Sequence, residues 1–198
     1  KVNAEVEYRA SYVILATGHS ARDIYYMFDA NKYAIEAKPF AVGFRLEHYQ
    51  ELINKIQHGN KFAKVLPAAA YKLVAQAGNR GVFSFCMCPG GLIVPASTNA
   101  NELVVNGMSM SGRNSKFANS GIVCSVTDAD FAEFADFGVL AGLKFQESLE
   151  QNFYLDAGDN FLKAPAQRMV DFIKQRESNS LMETSYLPGL ESMNVARL

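Results

Sequence analysis

The sequence predicts an α+β fold: an antiparallel sheet or partial barrel with covering helices, attached to a fragment of an α/β sheet. Three observations predict it. Strand-like runs separated by Asn, Gly and Pro clusters fill residues 71–126. Apolar residues recur at helical spacing from residue 127 onward. An apolar run at residues 12–16 is followed by Gly18 and a helical pattern, as at the strand ends of open α/β sheets.

Length and composition limit the class of protein. The chain has 198 residues, 49% hydrophobic and 20% charged, which suits one large domain, or one domain and part of another. Its 19 Lys and Arg balance 20 Asp and Glu, which argues against a disordered tail or a basic nucleic-acid binder. The longest apolar runs are far shorter than the roughly 20 residues of a membrane span. Three cysteines in a chain too large to need disulfides favour the cytoplasm.

The first 37 residues have the pattern of a sheet fragment. Val2, Ala4, Val6 and Tyr8 alternate on one face of a strand, and a second strand is predicted at residues 12–16. A turn at Thr17 and Gly18 then leads into a helix over residues 20–28. Because the strand pattern begins at the first residue, we expect this chain to be an internal piece of a longer protein.

Antiparallel strands are predicted from residue 41 to residue 126. Alternation over residues 41–47 places Arg45 and Glu47 on one face of a strand and apolar side chains on the other. An amphipathic helix over residues 49–57 should end before Gly59. The turn Pro89-Gly90-Gly91 suits a hairpin. The remaining strands are predicted at residues 71–75, 82–88, 91–96, 103–106 and 121–126.

Helices are predicted after residue 126. Thr127 and Asp128 suit the start of a long helix, and its apolar stripe runs from Phe131 through Phe145 to Leu149. Pro165 suits the first turn of a second helix. Four side chains of that helix are predicted to face inward: Ala166, Met169, Val170 and Ile173.

Several segments resemble known flavoproteins. The segment Val13-Ile-Leu-Ala-Thr-Gly18 resembles the second FAD-contacting motif of the glutathione reductase-like proteins with two dinucleotide-binding domains. Other segments resemble an uncharacterised family of FAD-dependent proteins, often labelled NAD(FAD)-utilising dehydrogenases. Those segments are residues 19–23, 37–48, 85–91, 106–109 and 118–123. The resemblance covers most of residues 13–126 and is weaker from residue 127 on.

The resemblance implies an FAD-binding domain in discontinuous segments, with a mostly β substrate-side domain inserted between them. Residues 1–37 would belong to the FAD-binding domain, residues 38–180 to the insert, and residues 181–198 to the returning segment. The longer protein would be an FAD-dependent oxidoreductase, with NAD(P) as a candidate second cofactor. Its partners would be the rest of the polypeptide and a small-molecule substrate, without nucleic acid or membrane. Because G-x-G-x-x-G is absent, we expect the isolated chain to be inactive and to bind FAD weakly or not at all.

The resemblance also implies which residues contact the cofactor. Three would do so through their backbone and four through polar side chains: Ala16, Thr17, Gly18, His19, Ser20, Arg22 and Asp23. For Arg22 and Asp23 the alternative is ordinary charge at a helix start, where the helix dipole favours an acidic residue.

Four residues are candidates for substrate chemistry. Arg45 and Glu47 could flank a substrate, with Arg45 binding an anionic group and His48 transferring a proton. The alternative is a solvated strand face. Arg113 lies in a Gly-, Ser- and Asn-rich segment, predicted as a loop between residues 109 and 120, and could bind a carboxylate or phosphate. The alternative there is an ordinary polar loop.

Cys86 and Cys88 permit other hypotheses. On one strand face their Cα atoms would be about 6.6 Å apart, at the outer edge of disulfide geometry. The three cysteines and three histidines form no paired cluster of the kind that binds structural zinc, so we expect no metal site. Small buried residues are the favoured interpretation of the pair. A non-catalytic ligand- or protein-binding module is the main alternative function, and a thiol redox or metal protein is a weaker one.

Overall fold

The computed structural model describes residues 6–157 and 162–195, in two compact units, residues 1–36 and 37–198. The first unit contains helix α1 (Arg22–Ala30), which confirms a helix in this part of the chain. The strand predicted at residues 12–16 is wrong here: these residues form no β-ladder with any described residue, and Ile14 is 91% exposed. A strand requires a neighbouring strand to pair with its backbone. The predicted strand residues Val2 and Ala4 lie outside the described residues.

The second unit is built on an antiparallel sheet, which confirms the α+β class. Its described residues form four strands in the order β1-β6-β3-β2, and the sheet is open rather than closed into a barrel. The two edge strands are β1 (Phe40–Tyr49) and β2 (Val74–Ala77). The two inner strands are β3 (Arg80–Cys88) and β6 (Phe117–Val126). Residues 117–120, predicted as part of a loop, therefore belong to the longest strand pairing.

Strands β1 and β6 pair without interruption over ten residues, from Phe40 opposite Val126 to Tyr49 opposite Phe117. Gly43 lies where the two backbones approach most closely. A Cβ atom added to Gly43 would fall 1.9 Å from the carbonyl oxygen of Ile122. The pairing therefore requires glycine at this position.

Helices cover one face of this sheet. Helix α2 (Gln50–Phe62) follows β1 directly, and its Ile53 packs in a buried cluster with Ala69 and Ala118 of β6. As predicted, the regular helix is interrupted at Gly59, which has a φ of 72°, although helical residues continue to Phe62. This packing fixes which face of β1 is turned towards the core.

The long helix predicted after Thr127 is two elements. A 3₁₀ helix (Asp128–Leu140) is followed by helix α3 (Ala141–Asp156), and Gly138 near the end of the 3₁₀ helix has a φ of 55°. The carboxylate of Asp130 accepts a hydrogen bond from the backbone N–H of Thr127 and binds the guanidinium of Arg80 on β3. Those donors hold the pKa of Asp130 well below its usual range. A second buried cluster joins these elements to the sheet: Val126, Phe131 and Ala141, with Phe40, Val42, Phe134 and Phe145 packed against it.

The helix predicted to start at Pro165 is wrong in its start and its inward face. Pro165 lies in strand β7 (Ala164–Ala166), which pairs in parallel with β8 (Leu190–Ser192). Helix α4 is the short segment Met169–Ile173, and Ile173 is 72% exposed. Its buried residue is Asp171, which binds Arg176 and Ser178. The helix is anchored by a polar cluster, so the apolar spacing does not mark its inner side.

A hairpin lies against the sheet near β6. Strands β4 (Gly91–Pro95) and β5 (Val105–Ser109) form it, with Gly107 of β5 beside side chains of the sheet. Among the described residues, no helix is long and apolar enough to cross a membrane.

Replacing Gly43 by alanine should destabilise the fold by roughly 1–3 kcal/mol, because the new methyl group collides with the backbone of β6. Urea denaturation followed by circular dichroism measures the change. Gly81→Ala is the matched control, since Gly81 also lies in a strand and an added Cβ meets nothing within 4 Å. Equal stability of the two variants would contradict the close approach of β1 and β6.

Candidate functional site

A β-bulge in β3 shapes the face of the sheet opposite the helices. Phe85 pairs with Gly121 and Cys88 pairs with Asn119, so three residue steps on β3 match two on β6. The extra residue places Phe85 and Cys88 on the same face. Cys86 takes a left-handed backbone with a φ of 46°. The prediction that Cys86 and Cys88 share a face is therefore wrong: Cys88 is buried and Cys86 is exposed.

Arg45 reaches from β1 across β6 to this bulge. Its Nη1 donates hydrogen bonds to the Oδ1 atom of Asn119 at 2.6 Å and to the carbonyl oxygen of Cys86 at 3.3 Å. Its Nη2 donates to the Oδ1 atom of Asn106 on β5 at 3.3 Å. Gly121, which lies opposite Arg45 on β6, has no side chain to obstruct this path. The guanidinium thus joins three strands of the sheet and the hairpin.

Gly107 allows the hairpin to approach the guanidinium. A Cβ atom at Gly107 would lie 2.1 Å from Nη1 of Arg45 and 2.4 Å from Oδ1 of Asn119. We call Arg45, Asn106, Gly107, Asn119 and the carbonyl group of Cys86 the Arg45 site. A larger residue at position 107 would displace the guanidinium from the amide that holds it.

The Arg45 site has more donors than acceptors. The three acceptors of Arg45 are neutral, and within the described ranges no carboxylate forms an ion pair with it. Asn119 is fully buried, and its Nδ2 atom has no hydrogen-bond partner among the described residues. The thiol of Cys88 lies beside Arg45, and burial raises the pKa of that thiol, which favours its neutral form. This arrangement can accept an anionic group.

Glu47 lies on the same strand face as Arg45 but binds elsewhere. Its carboxylate accepts hydrogen bonds from the backbone N–H of Ser185 at 3.1 Å and from the Ser185 hydroxyl. The same hydroxyl accepts from the backbone N–H of Ile93 on β4 at 2.8 Å. Glu47 therefore ties the segment around Ser185 to the sheet and does not neutralise Arg45.

His48 is on the opposite face of β1 from Arg45. Its Nε2 atom lies 2.9 Å from the hydroxyl oxygen of Tyr71, and the two rings meet edge to face. Burial lowers the pKa of His48, and the nearby Glu47 charge opposes that shift. Burial also raises the pKa of Tyr71. The structure therefore does not bring His48 and Arg45 together, although the sequence analysis considered them as one site.

Arg113 is exposed in the loop after β5, with a φ of 45°. Its backbone packs against Gly90, where an added Cβ would lie 1.9 Å from the Arg113 carbonyl oxygen. The structure does not place its side chain in the Arg45 site. Its predicted role in anion binding remains untested.

The predicted cofactor residues lie together in the first unit. Residues 16–20 are exposed, Gly18 has a φ of 80°, and the Ser20 hydroxyl lies 3.4 Å from Nε2 of His19. Arg22 is the first residue of α1, and Asp23 is an acidic residue in its first turn. Their role in cofactor binding stays a prediction.

Sequence reasoning missed Asn106, Gly107 and Ser185 as contributors to this face, and it placed Asn119 in a loop. One signal was available, because Asn106 and Asn119 both fall in segments that resemble the flavoprotein family. No group of three or more potential metal-ligating side chains occurs in the described part of the chain.

The sheet, its covering helices and the Arg45 site define an α+β domain with a donor-rich polar face. The family model described as "FAD-dependent protein, C-terminal domain-like" matches residues 39–198, so the chain belongs to that family. This confirms the predicted relationship to FAD-dependent proteins. An uncharacterized protein of Clostridium beijerinckii is 44% identical over 184 residues, which are 90% of this chain and 34% of that protein. The chain thus spans about a third of the length of this relative.

The free energy of unfolding should decrease as the pH falls below about 6.5, because the folded state resists protonation of His48. Between that pH and the lowered pKa of His48, the unfolded chain binds a proton that the folded chain does not. Urea denaturation between pH 5 and 7.5 or so tests this, and His48→Gln should reduce the slope. His19→Gln is the control, because His19 is exposed, and it should leave the slope unchanged. An unchanged slope in His48→Gln would contradict the assignment of the pH dependence to His48.

Cys86 should react with iodoacetamide faster than the other two thiols in the folded chain. Cys86 is exposed, whereas Cys88 is buried with a raised thiol pKa and Cys124 is half-buried. Mass spectrometry after brief alkylation identifies the modified residue. Cys86→Ser should remove the fast phase, and a fast phase that persists in this variant would argue against the bulge geometry.

Proposed function

We propose that this chain is the substrate-side domain, with one cofactor-contacting segment, of an FAD-dependent oxidoreductase. The observation that carries the proposal is the family match over residues 39–198, which lies C-terminal to the FAD motif-like segment at residues 13–18. In this proposal residues 1–37 belong to an FAD-binding domain of the glutathione reductase type. Residues 38–180 form the insert, and residues 181–198 return to the FAD-binding domain.

The residues of this chain fit one edge of an FAD site rather than a complete one. The exposed backbone of residues 16–18 can lie along a cofactor, and the positive φ of Gly18 turns the chain there. At the start of α1, however, the N–H groups of Ala21 and Arg22 donate to the carbonyl oxygens of Gly18 and Ser20. Those N–H groups are not free to bind a pyrophosphate. The phosphate-binding amides would therefore come from the rest of a longer polypeptide.

Flavin, when bound, would supply the electron transfer. The residues of this chain would bind and orient the substrate. Arg45 would hold an anionic group, and the neutral acceptors around it would fix its direction without cancelling its charge. NAD(P) as a second cofactor and a cytoplasmic location remain predictions.

A ligand-binding module without redox chemistry is the second candidate, and the Arg45 site favours it because that site needs no cofactor. The thiol redox hypothesis has less support, because the bulge separates the exposed Cys86 from the buried Cys88.

The proposal predicts that FAD is retained by the longer protein and not by this chain. The Clostridium beijerinckii relative and the 198-residue chain would each be incubated with FAD, freed of unbound cofactor by gel filtration, and examined by visible absorption. We expect a flavin spectrum from the relative alone. Retention by neither protein would favour the binding module, and retention by the isolated chain would contradict a divided cofactor site.

A further inference from the structure

Phe85 is an exposed aromatic side chain beside the Arg45 site. It is 61% exposed, although it lies in an inner strand of the sheet. It immediately precedes Cys86, whose carbonyl oxygen accepts a hydrogen bond from Arg45. The β-bulge turns Phe85 to the same face as Cys88 and Asn119. A cationic group and an exposed aromatic ring therefore lie on one face of the sheet, on the two strands that flank β6.

We propose that Arg45 and Phe85 form a binding site for a small aromatic carboxylate. The carboxylate would accept hydrogen bonds from the Arg45 guanidinium, and the ring of the ligand would pack against Phe85.

The charge of the site supports a carboxylate. Arg45 has three neutral acceptors and, in the described part of the chain, no ion-pair partner. Glu47 faces the same side but accepts hydrogen bonds from Ser185. The buried amide of Asn119, whose Nδ2 atom has no acceptor among the described residues, brings no negative charge to the site. The site lacks an anionic acceptor, and the planar carboxylate is one of the groups that fit an arginine fork.

The shape of the site supports a flat ligand. Gly121 lies between Arg45 and Phe85 in the sheet and places no side chain between them. Gly107 on β5 lies close against Nη1 of the Arg45 guanidinium, so a ligand cannot approach from that side. The strand spacing separates the Cα atoms of Arg45 and Phe85 by about 10 Å, and the Arg45 side chain shortens this gap by extending towards β3. A ligand that spans this gap can place its ring against the exposed Phe85 and its carboxylate at the Arg45 guanidinium.

This inference uses no residue of the cofactor segment and does not depend on flavin. Its test therefore gives a result whether or not the longer protein binds FAD.

The test is a titration of the 198-residue chain with benzoate, followed by nuclear magnetic resonance of the backbone amides. We expect saturable shifts at Gly107 and Gly121. Acetate, which lacks the ring, and benzyl alcohol, which lacks the charge, should each bind more weakly. Inorganic phosphate should also bind more weakly than benzoate. The absence of saturable benzoate binding would overturn the proposal, and phosphate binding as tight as that of benzoate would overturn the carboxylate assignment.

Two substitutions separate the parts of the site. Arg45→Gln should weaken benzoate binding roughly tenfold or more, through loss of charge-assisted hydrogen bonds. Phe85→Ala should weaken it several-fold, through loss of ring packing. Because Phe85 is exposed, the second variant should fold even if Arg45→Gln does not.

Matched controls carry the same chemical changes elsewhere. Arg9→Gln removes an equal charge from a side chain that is 93% exposed, and Phe62→Ala removes a ring from α2. Both should bind benzoate as the unchanged chain does. Equal losses in the controls and the site variants, or unchanged binding in Phe85→Ala, would overturn the assignment of these residues.

Discussion

The pairing of β1 with β6 is the constraint on which the rest of the second unit depends. Ten successive residue pairs fix the register, and the contact of Gly43 with the β6 backbone allows no side chain between the strands. This register places Arg45 on the face that carries the hairpin and His48 on the face covered by helices. A shift of one residue would exchange the two faces and destroy both the core and the polar cluster.

The Arg45 site shows how a protein can position a cation without neutralising it. Amide and carbonyl oxygens from three different elements orient the guanidinium, while Glu47, two residues further along the same strand face, is bound to Ser185. An ion pair would fix the side chain equally well but would compete with any anionic ligand. Neutral acceptors avoid that competition. The cost is an unpartnered donor at the buried amide of Asn119, of a kind that is disfavoured by about 1–3 kcal/mol.

Much of the fold could be predicted from the sequence, because some structural signals depend only on neighbouring residues. Alternation at residues 41–47 indicates a strand, and the glycines at positions 59 and 90 mark a helix interruption and a turn. The errors arise where distant residues decide the outcome. The apolar run at residues 12–16 has the composition of a strand, but strands need partners. The bulge near Cys86 depends on pairing with β6, and apolar spacing could not reveal the buried Asp171. Arg45 was predictable as a candidate, whereas its acceptors come from segments as many as 74 residues away.

The bulge also restricts how this sequence can change in length. Phe85 and Cys88 face the same side although two residues separate them, because the bulge sets those two residues against the single residue between the matching positions of β6. Deleting Cys86 or Met87 would remove the bulge and restore simple alternation, with both flanking side chains still on one face. The left-handed backbone at Cys86, whose carbonyl oxygen accepts a hydrogen bond from Arg45, would then be lost. The number of residues between positions 85 and 88 therefore determines whether β3 offers Arg45 this carbonyl acceptor, and not the direction of the flanking side chains.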